Sequence, residues 1–284
     1  MDATAVHDWL DLLFRWFHVF VAILWIGSTA FFTWLDIRMR AEVDKATGKE
    51  EVWMVHSGGF YRVEKRREPE LGHPLHWWKF EALYTWLSGF ALLWIVYYWG
   101  GGLLLSPDSS LSLWQARGIG LGAIVAGFAI YDGIWMSPLG KNDLAGAGVC
   151  LALLVGLSYG LEQVLLPRAA WIHVGALMGT IMTANVWMRI IPAQRRMVKA
   201  VLEGRQPDLA LGERAKKRSK HNTFMVVPLV LIMLSNHFPV ATGGYSWTRL
   251  PIFLAIGFAV RKWINVHDAA PDAGQRLEGV KPAP

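Results

Sequence analysis

The sequence predicts an all-α, polytopic integral membrane bundle of about seven transmembrane helices, with its N-terminus outside and its C-terminus cytoplasmic. Three observations predict it. First, 54% of the 284 residues are hydrophobic, 16 are Trp, and the mean hydropathy is positive, a profile foreign to soluble domains. Second, seven windows are long and apolar enough to cross a bilayer, at about residues 9–35, 78–99, 117–135, 144–165, 169–191, 222–238 and 247–266. Third, basic residues crowd into alternate connections. Arg38, Arg40, Lys45, Lys49, Arg62, Lys65, Arg66 and Arg67 fall in 36–77, and Arg195, Arg196, Lys199, Arg205, Arg214, Lys216, Lys217, Arg218 and Lys220 fall in 192–221. Residues 100–116 hold none, and Arg168 and Arg249 stand alone near the other two outer connections. Lys and Arg in short connections stay cytoplasmic, which sets the orientation. The net charge of +6 is therefore a topology signal and excludes a nucleic-acid surface, since no aromatic residues interleave with these charges.

The first span follows "MDATAVHDWLD", which has no basic leader and no small-residue cleavage site, and reads as a retained anchor. Within it Asp11, Arg15, His18, Ala22 and Trp25 recur at helical spacing, so Arg15 is answered by Asp11 on one stripe. A rise of about 1.5 Å per residue sets His18 roughly 13 Å below the outer end of its helix. The second span is introduced by "LGHPLHWWKFEALYTWLSG", which delivers His73, His76, Lys79 and Glu81, with Glu81, Thr85 and Ser88 as a polar stripe. The third offers Gly118 and Gly122 as a small-residue packing face and ends at Asp132.

The fourth span holds Cys150, and a lone cysteine excludes intramolecular disulfides, thiolate metal clusters and a covalent haem c. The fifth begins "WIHV", repeating the "WFHV" of residues 16–19, so His173 enters the membrane as His18 does; Asn185 reads as an interhelical hydrogen bond. The sixth opens with His221 and Asn222 and closes on His237 in "LSNHFP". Trp9, Trp77, Trp78, Trp99, Trp114, Trp171 and Trp247, near helix ends, read as an interfacial belt. Residues 1–267 thus form one membrane domain, and 268–284, rich in Pro, Gly and Ala, a disordered cytoplasmic tail.

Titratable groups at membrane depth cost a few kcal/mol or more and face the bundle interior, so they mark the places where chemistry is expected. On the outer side His18, His173 and His237 predict a b-type haem whose iron is ligated by two of the three. The plain alternative is packed histidines donating to carbonyls. On the inner side Glu81, His76 and Asp132 supply acid-base groups, and Lys79, His221 and Asn222 supply polar and cationic contacts. The plain alternative there is head-group anchoring by Lys79 and His76 and structural ion pairing by Glu81 and Asp132.

Five strings, in order, carry a resemblance: "WFHVFVAILWIGSTAFFTWLD", "VHSGGFYRVEK", "LHWWKFEALYTWLSGFALL", "IIPAQRRMVKAVLEGRQPD" and "KRSKHNTFMVVPLVLIMLSNHFP". Together they resemble the membrane domain of bacterial cytochrome c urate oxidases, also called urate hydroxylases, over about residues 8–267. The resemblance implies conversion of urate to 5-hydroxyisourate in the bacterial inner membrane, with electrons leaving to a cytochrome c domain at the C-terminus. The sequence ends at Pro284 without C-x-x-C-H, so the expected acceptor is a separate periplasmic cytochrome c or a quinone. In that scheme Lys79, His221 and Asn222 bind the urate anion, and Glu81, His76 or Asp132 takes its proton. Three rivals stay open: a non-catalytic haem-binding electron-transfer subunit, a purine or metal transporter, and an oxidase of another purine. A homo-oligomer is compatible with each.

Overall fold

A computed structural model of the chain describes residues 2–41, 50–66, 73–100, 102–106 and 108–269. Among the described residues nine α-helices and one β-hairpin follow in the order α1 (Ala3–Ala41), β1 (Glu51–His56), β2 (Gly59–Glu64), α2 (Phe80–Leu93), α3 (Leu113–Met136), α4 (Asp143–Glu162), α5 (Pro167–Ala184), α6 (Ile191–Leu202), α7 (Leu209–Ser235), the short α8 (Pro239–Thr242) and α9 (Ser246–Ala269). Of the tail expected at 268–284, Asp268 and Ala269 end α9, and 270–284 lie outside the described residues.

Local sequence explains the helix boundaries. Ser112 accepts from the Gln115 N–H while the Gln115 side chain accepts from the Ser112 N–H, a capping box that starts α3. Asn142 accepts from the Leu144 and Ala145 N–H groups to start α4, and Asp208 accepts from Ala210 to start α7. Two spans are lengthened by π-helical turns, α2 through Trp94–Tyr98 and α5 through Asn185–Ile190. The second turn runs into Pro192, which lacks the N–H a regular α-turn would need.

Five of the seven expected spans are helices long and apolar enough to cross a membrane, and they include α1, α3 and α4, with α2 and α5 extended by their π turns. Neither α7 nor α9 reaches that apolarity. Lys216, Lys217, Arg218 and Lys220 occupy the first half of α7, and Arg249, Arg261 and Lys262 interrupt α9.

The central helix is α5, with 56% of its most apolar window buried, and the peripheral one is α1, with 6%. One core cluster joins Tyr97, Tyr98, Ala116, Ile124, Tyr131, Leu161, Leu177 and Ile181 between α2, α3, α4 and α5. A second joins Trp171, Val174, Met178, Ile232, Leu250 and Leu254 between α5, α7 and α9. In the α7–α9 crossing, a Cβ on Gly257 would lie 2.6 Å from the Pro228 ring, so only glycine permits the approach.

Three expectations need correction. The connection after α1, expected only as a basic cytoplasmic segment of an all-α bundle, carries an antiparallel hairpin: "EVWMVH" pairs with "GFYRVE" around Ser57 and Gly58, whose φ of 51° and 76° make its tight turn. The packing face of α3 is Ala116, Gly120, Ile124 and Gly127 rather than Gly118 and Gly122. Two residues rotate a helix by about 200°, so the expected pair points away and a Cβ on either meets nothing within 4 Å. Trp171 is no interfacial residue: it is fully buried, and its Nε1–H donates to the Ile232 carbonyl at 3.2 Å and to Ser235 Oγ at 3.1 Å.

Candidate functional site

The half of the bundle expected to face outward holds Arg15, His18 and His173. Arg15 pairs with Asp11 at 2.7 Å one turn apart, as their spacing predicts. His18 packs on α2, where its Nδ1–H donates to the Thr85 carbonyl at 3.0 Å with Ser88 Oγ equally near. His173 is buried and its Nδ1–H donates to the Ala169 carbonyl at 2.7 Å, which leaves Nε2 to accept from the Tyr98 hydroxyl at 2.6 Å. Both ring nitrogens of His173 are therefore used. His237 lies exposed just beyond α7. Among the described residues no three His, Cys, Asp or Glu side chains gather as a metal site. Of the three imidazoles expected to ligate haem, His173 has no free ring nitrogen as placed here, so ligation by it would require breaking the Tyr98 bond inside a packed core.

The half expected to face inward holds a cavity. A cavity of about 1100 Å³ lies between α1, the segment before α2, α2, the α5–α6 junction, α7 and α9. Ligand sites commonly span about 300–1,000 Å³, so the space admits a small heterocycle with its water. Trp25, Phe32, Trp77 and Trp78 give it flat apolar walls, while Glu81, His76, Gln194, Asn222, Ser219 and Thr223 supply polar groups. Lys216, Lys220 and Arg40 supply positive charge. Glu81, His76, Gln194 and Lys216 make no side-chain hydrogen bond or ion pair among the described residues, so their polar atoms are available to a ligand. A smaller cavity of about 300 Å³ adjoins through His76, Trp77 and Gln194.

Of the residues expected on the inner side, the fold thus gathers Glu81, His76 and Asn222 and sets three others aside. Asp132 is a buried carboxylate clamped by two guanidinium groups: Arg189 Nε donates to Oδ1 at 3.0 Å, a second Arg189 nitrogen reaches Oδ2, and Arg218 donates to Oδ1 at 2.8 Å. Its oxygens are engaged by the two arginines, and it does not line the cavity. The Lys79 ammonium sits over the Phe80 and Trp187 rings, at 4.9 and 5.1 Å from their centroids. His221 accepts from the Tyr131 hydroxyl at 2.8 Å and packs on Trp135, one residue round the helix from the cavity wall.

Behind the wall, Asn185 Nδ2 donates to Tyr131 Oη at 3.0 Å and to Asn222 Oδ1 at 2.9 Å, so Asn185 is the interhelical bond its position predicts. Asn222 Nδ2 in turn donates to the Met182 carbonyl at 2.8 Å, which fixes the amide at the cavity wall.

Sequence reasoning passed over Lys216, Ser219, Lys220 and Thr223, which it counted as topology charges or not at all. Their three- and four-residue spacing on α7 is the signal that marks one face. It also passed over Ser28, Thr29, Thr33 and Asp36, a polar stripe on the inner end of α1 that lines the same cavity. Asp36 is held at 2.5 Å by Lys65 from the end of β2.

No curated protein and no solved structure matches the chain. A family model does, over residues 4–278, and it spans every element from which the cavity is built. The chain belongs to the urate oxidase N-terminal family.

Proposed function

We propose that this protein is a membrane-bound oxidoreductase of the bacterial inner membrane that takes urate, as its monoanion, into the inner cavity and oxidises it to 5-hydroxyisourate. One observation carries the reading: in a urate oxidase family chain, an unpaired carboxylate, an unpaired imidazole and unpaired or weakly paired ammonium groups face one aromatic-walled cavity. Membership in the family supports a urate-related oxidoreductase. Five helices able to span a bilayer support a membrane location. In the proposed topology α7 and α9 also cross, as they pack on the central α5, giving seven spans with the N-terminus outside.

The chemistry balances as urate monoanion plus water giving 5-hydroxyisourate, one proton and two electrons. A C–O bond forms at C5 of the purine and the proton passes to Glu81, with His76 as the second acid-base group. Lys216 and Lys220 hold the anion, the Trp and Phe walls sandwich its plane, and Asn222, Gln194 and Thr223 meet its carbonyl and N–H edges. The electrons leave singly to two molecules of a separate cytochrome c. The three outer histidines have no part in this scheme.

The test is spectrophotometric. Purified protein in proteoliposomes with ferricytochrome c is expected to reduce two equivalents per urate consumed while the 5-hydroxyisourate absorbance grows. Urate uptake into the vesicles with no redox change would establish a transporter instead. Reduction by another purine but not by urate would keep the mechanism and change the substrate.

A further inference from the structure

The β1–β2 hairpin has two faces of opposite fate. Register pairs Val52 with Val63 and Met54 with Tyr61 on one face, and Trp53 with Arg62 and Val55 with Phe60 on the other. The first face packs on the end of α1, where Val52 is buried with Leu35 and Met39, and Trp34, Met54 and Val63 close around them. The second face is bare: Trp53, Val55 and Phe60 are 63%, 70% and 77% exposed. A two-stranded hairpin is marginal alone, and an apolar face of this kind in water marks a docking surface.

Charge is distributed along the hairpin as well as across it. Residues 52–61, "VWMVHSGGFY", hold no Asp, Glu, Lys or Arg. The charges stand at the open end and are engaged there: Arg62 with Glu51 at 2.5 Å, Lys65 with Asp36 at 2.5 Å and Arg66 with Glu64 at 3.3 Å. The result is an uncharged aromatic tip on a self-neutralised base, which suits the boundary of a bilayer better than the polar rim of a protein partner.

Its place on α1 agrees. With 39 residues α1 is about 58 Å long, against a hydrocarbon core of about 30 Å, so it emerges from the membrane at its cytoplasmic end. The apolar run of α1 stops at Leu35, and Asp36 and Arg38 follow. The hairpin is anchored across that stop, on Trp34, Leu35 and Met39, which is head-group level.

We propose that the Trp53, Val55 and Phe60 face of the hairpin docks on the phospholipid bilayer that holds α1, seating in the head-group and upper acyl region of the cytoplasmic leaflet. The inference rests on the reading that α1 spans the membrane, and goes beyond the reaction. It makes the hairpin a foot that fixes the inner end of α1, and through Lys65 and Asp36 one wall of the cavity, against the bilayer.

Site-directed spin labelling tests it. In a Cys150→Ser background, single cysteines replace Phe60, Ile23 as a lipid-facing reference on α1, and Glu203 as an aqueous reference. Each is nitroxide-labelled and reconstituted in phosphatidylcholine and phosphatidylglycerol vesicles. Accessibility to oxygen and to a neutral nickel chelate is then read by power saturation. The expected result is an oxygen-to-nickel log ratio that is positive at 60 and at 23 and negative at 203. A negative ratio at 60 beside a positive one at 23 overturns the hairpin proposal and leaves α1 in the membrane. Exclusion of both reagents at 60 overturns it in favour of a protein cover. A negative ratio at 23 overturns the membrane reading itself.

Discussion

Around His173, α3 and α5 approach until a Cβ on Gly120 has no room beside the imidazole and the Tyr98 hydroxyl; around His76 and Glu81, α1, α2, α6 and α7 stand apart by about 1100 Å³. Both regions hold histidine, aromatic rings and polar groups. They differ in where the polar atoms find partners. Around His173 each imidazole nitrogen is satisfied by its own chain, as burial demands. Around the cavity Glu81, His76, Gln194 and Lys216 have no side-chain partner among the described residues, which leaves their polar atoms to water or a ligand. Residue type therefore does not separate the two regions; unsatisfied polar capacity facing a cavity does.

The comparison is most sharply tested at Glu81. Glu81→Gln keeps the shape of the cavity and is expected to lower kcat by roughly 10²–10⁴-fold in the cytochrome c reduction assay, the range for loss of a general base, with an unchanged melting temperature. Asp132 is the counterpart on the closed side of the wall. Asp132→Ala leaves Arg189 and Arg218 unpaired and is expected to cost about 3–5 kcal/mol of stability, seen as a lowered thermal midpoint in detergent. Turnover that fell with unchanged stability would instead make Asp132 a reacting group.

Gly120→Ala is expected to cost about 1–3 kcal/mol by overpacking the His173 and Tyr98 contact. Gly122→Ala on the same helix, with open space at its Cβ, is expected to shift stability by no more than about 0.5 kcal/mol. Equal effects of the two would place the α3 face wrongly. Smallest among the site variants is Lys216→Ala, whose expected effect is a roughly tenfold rise in KM at unchanged kcat, the scale of one charge-assisted contact. The rise should shrink as salt is added, since the ammonium stands in a cavity open to water.

Much of this could be read from residue order. The apolar windows gave the five helices able to span, Asp11 and Arg15 announced their own ion pair by a four-residue step, and Asn185 announced an interhelical bond by its depth. The hairpin was legible too, in two short runs rich in Val and aromatic residues on either side of Ser57 and Gly58, but the weight of basic residues around it drew the reading to topology. The site was legible only in part. Glu81, His76 and Asn222 could be chosen by type and side of the membrane. The ion pairs of Asp132 could not be read, because its partners Arg189 and Arg218 lie 57 and 86 residues away.

What the sequence by itself determined is what depends on single-residue transfer energies and short spacings: an all-α chain with helices long and apolar enough to span a membrane, and its family. Tertiary structure alone decided which polar groups spend their hydrogen bonds on each other and which keep them for a ligand. The physical reason is that satisfaction is a property of pairs brought together across the fold. His173 is silenced by Tyr98 from 75 residues away, whereas the Lys216 ammonium, in a stretch of α7 crowded with basic residues, is left facing the cavity.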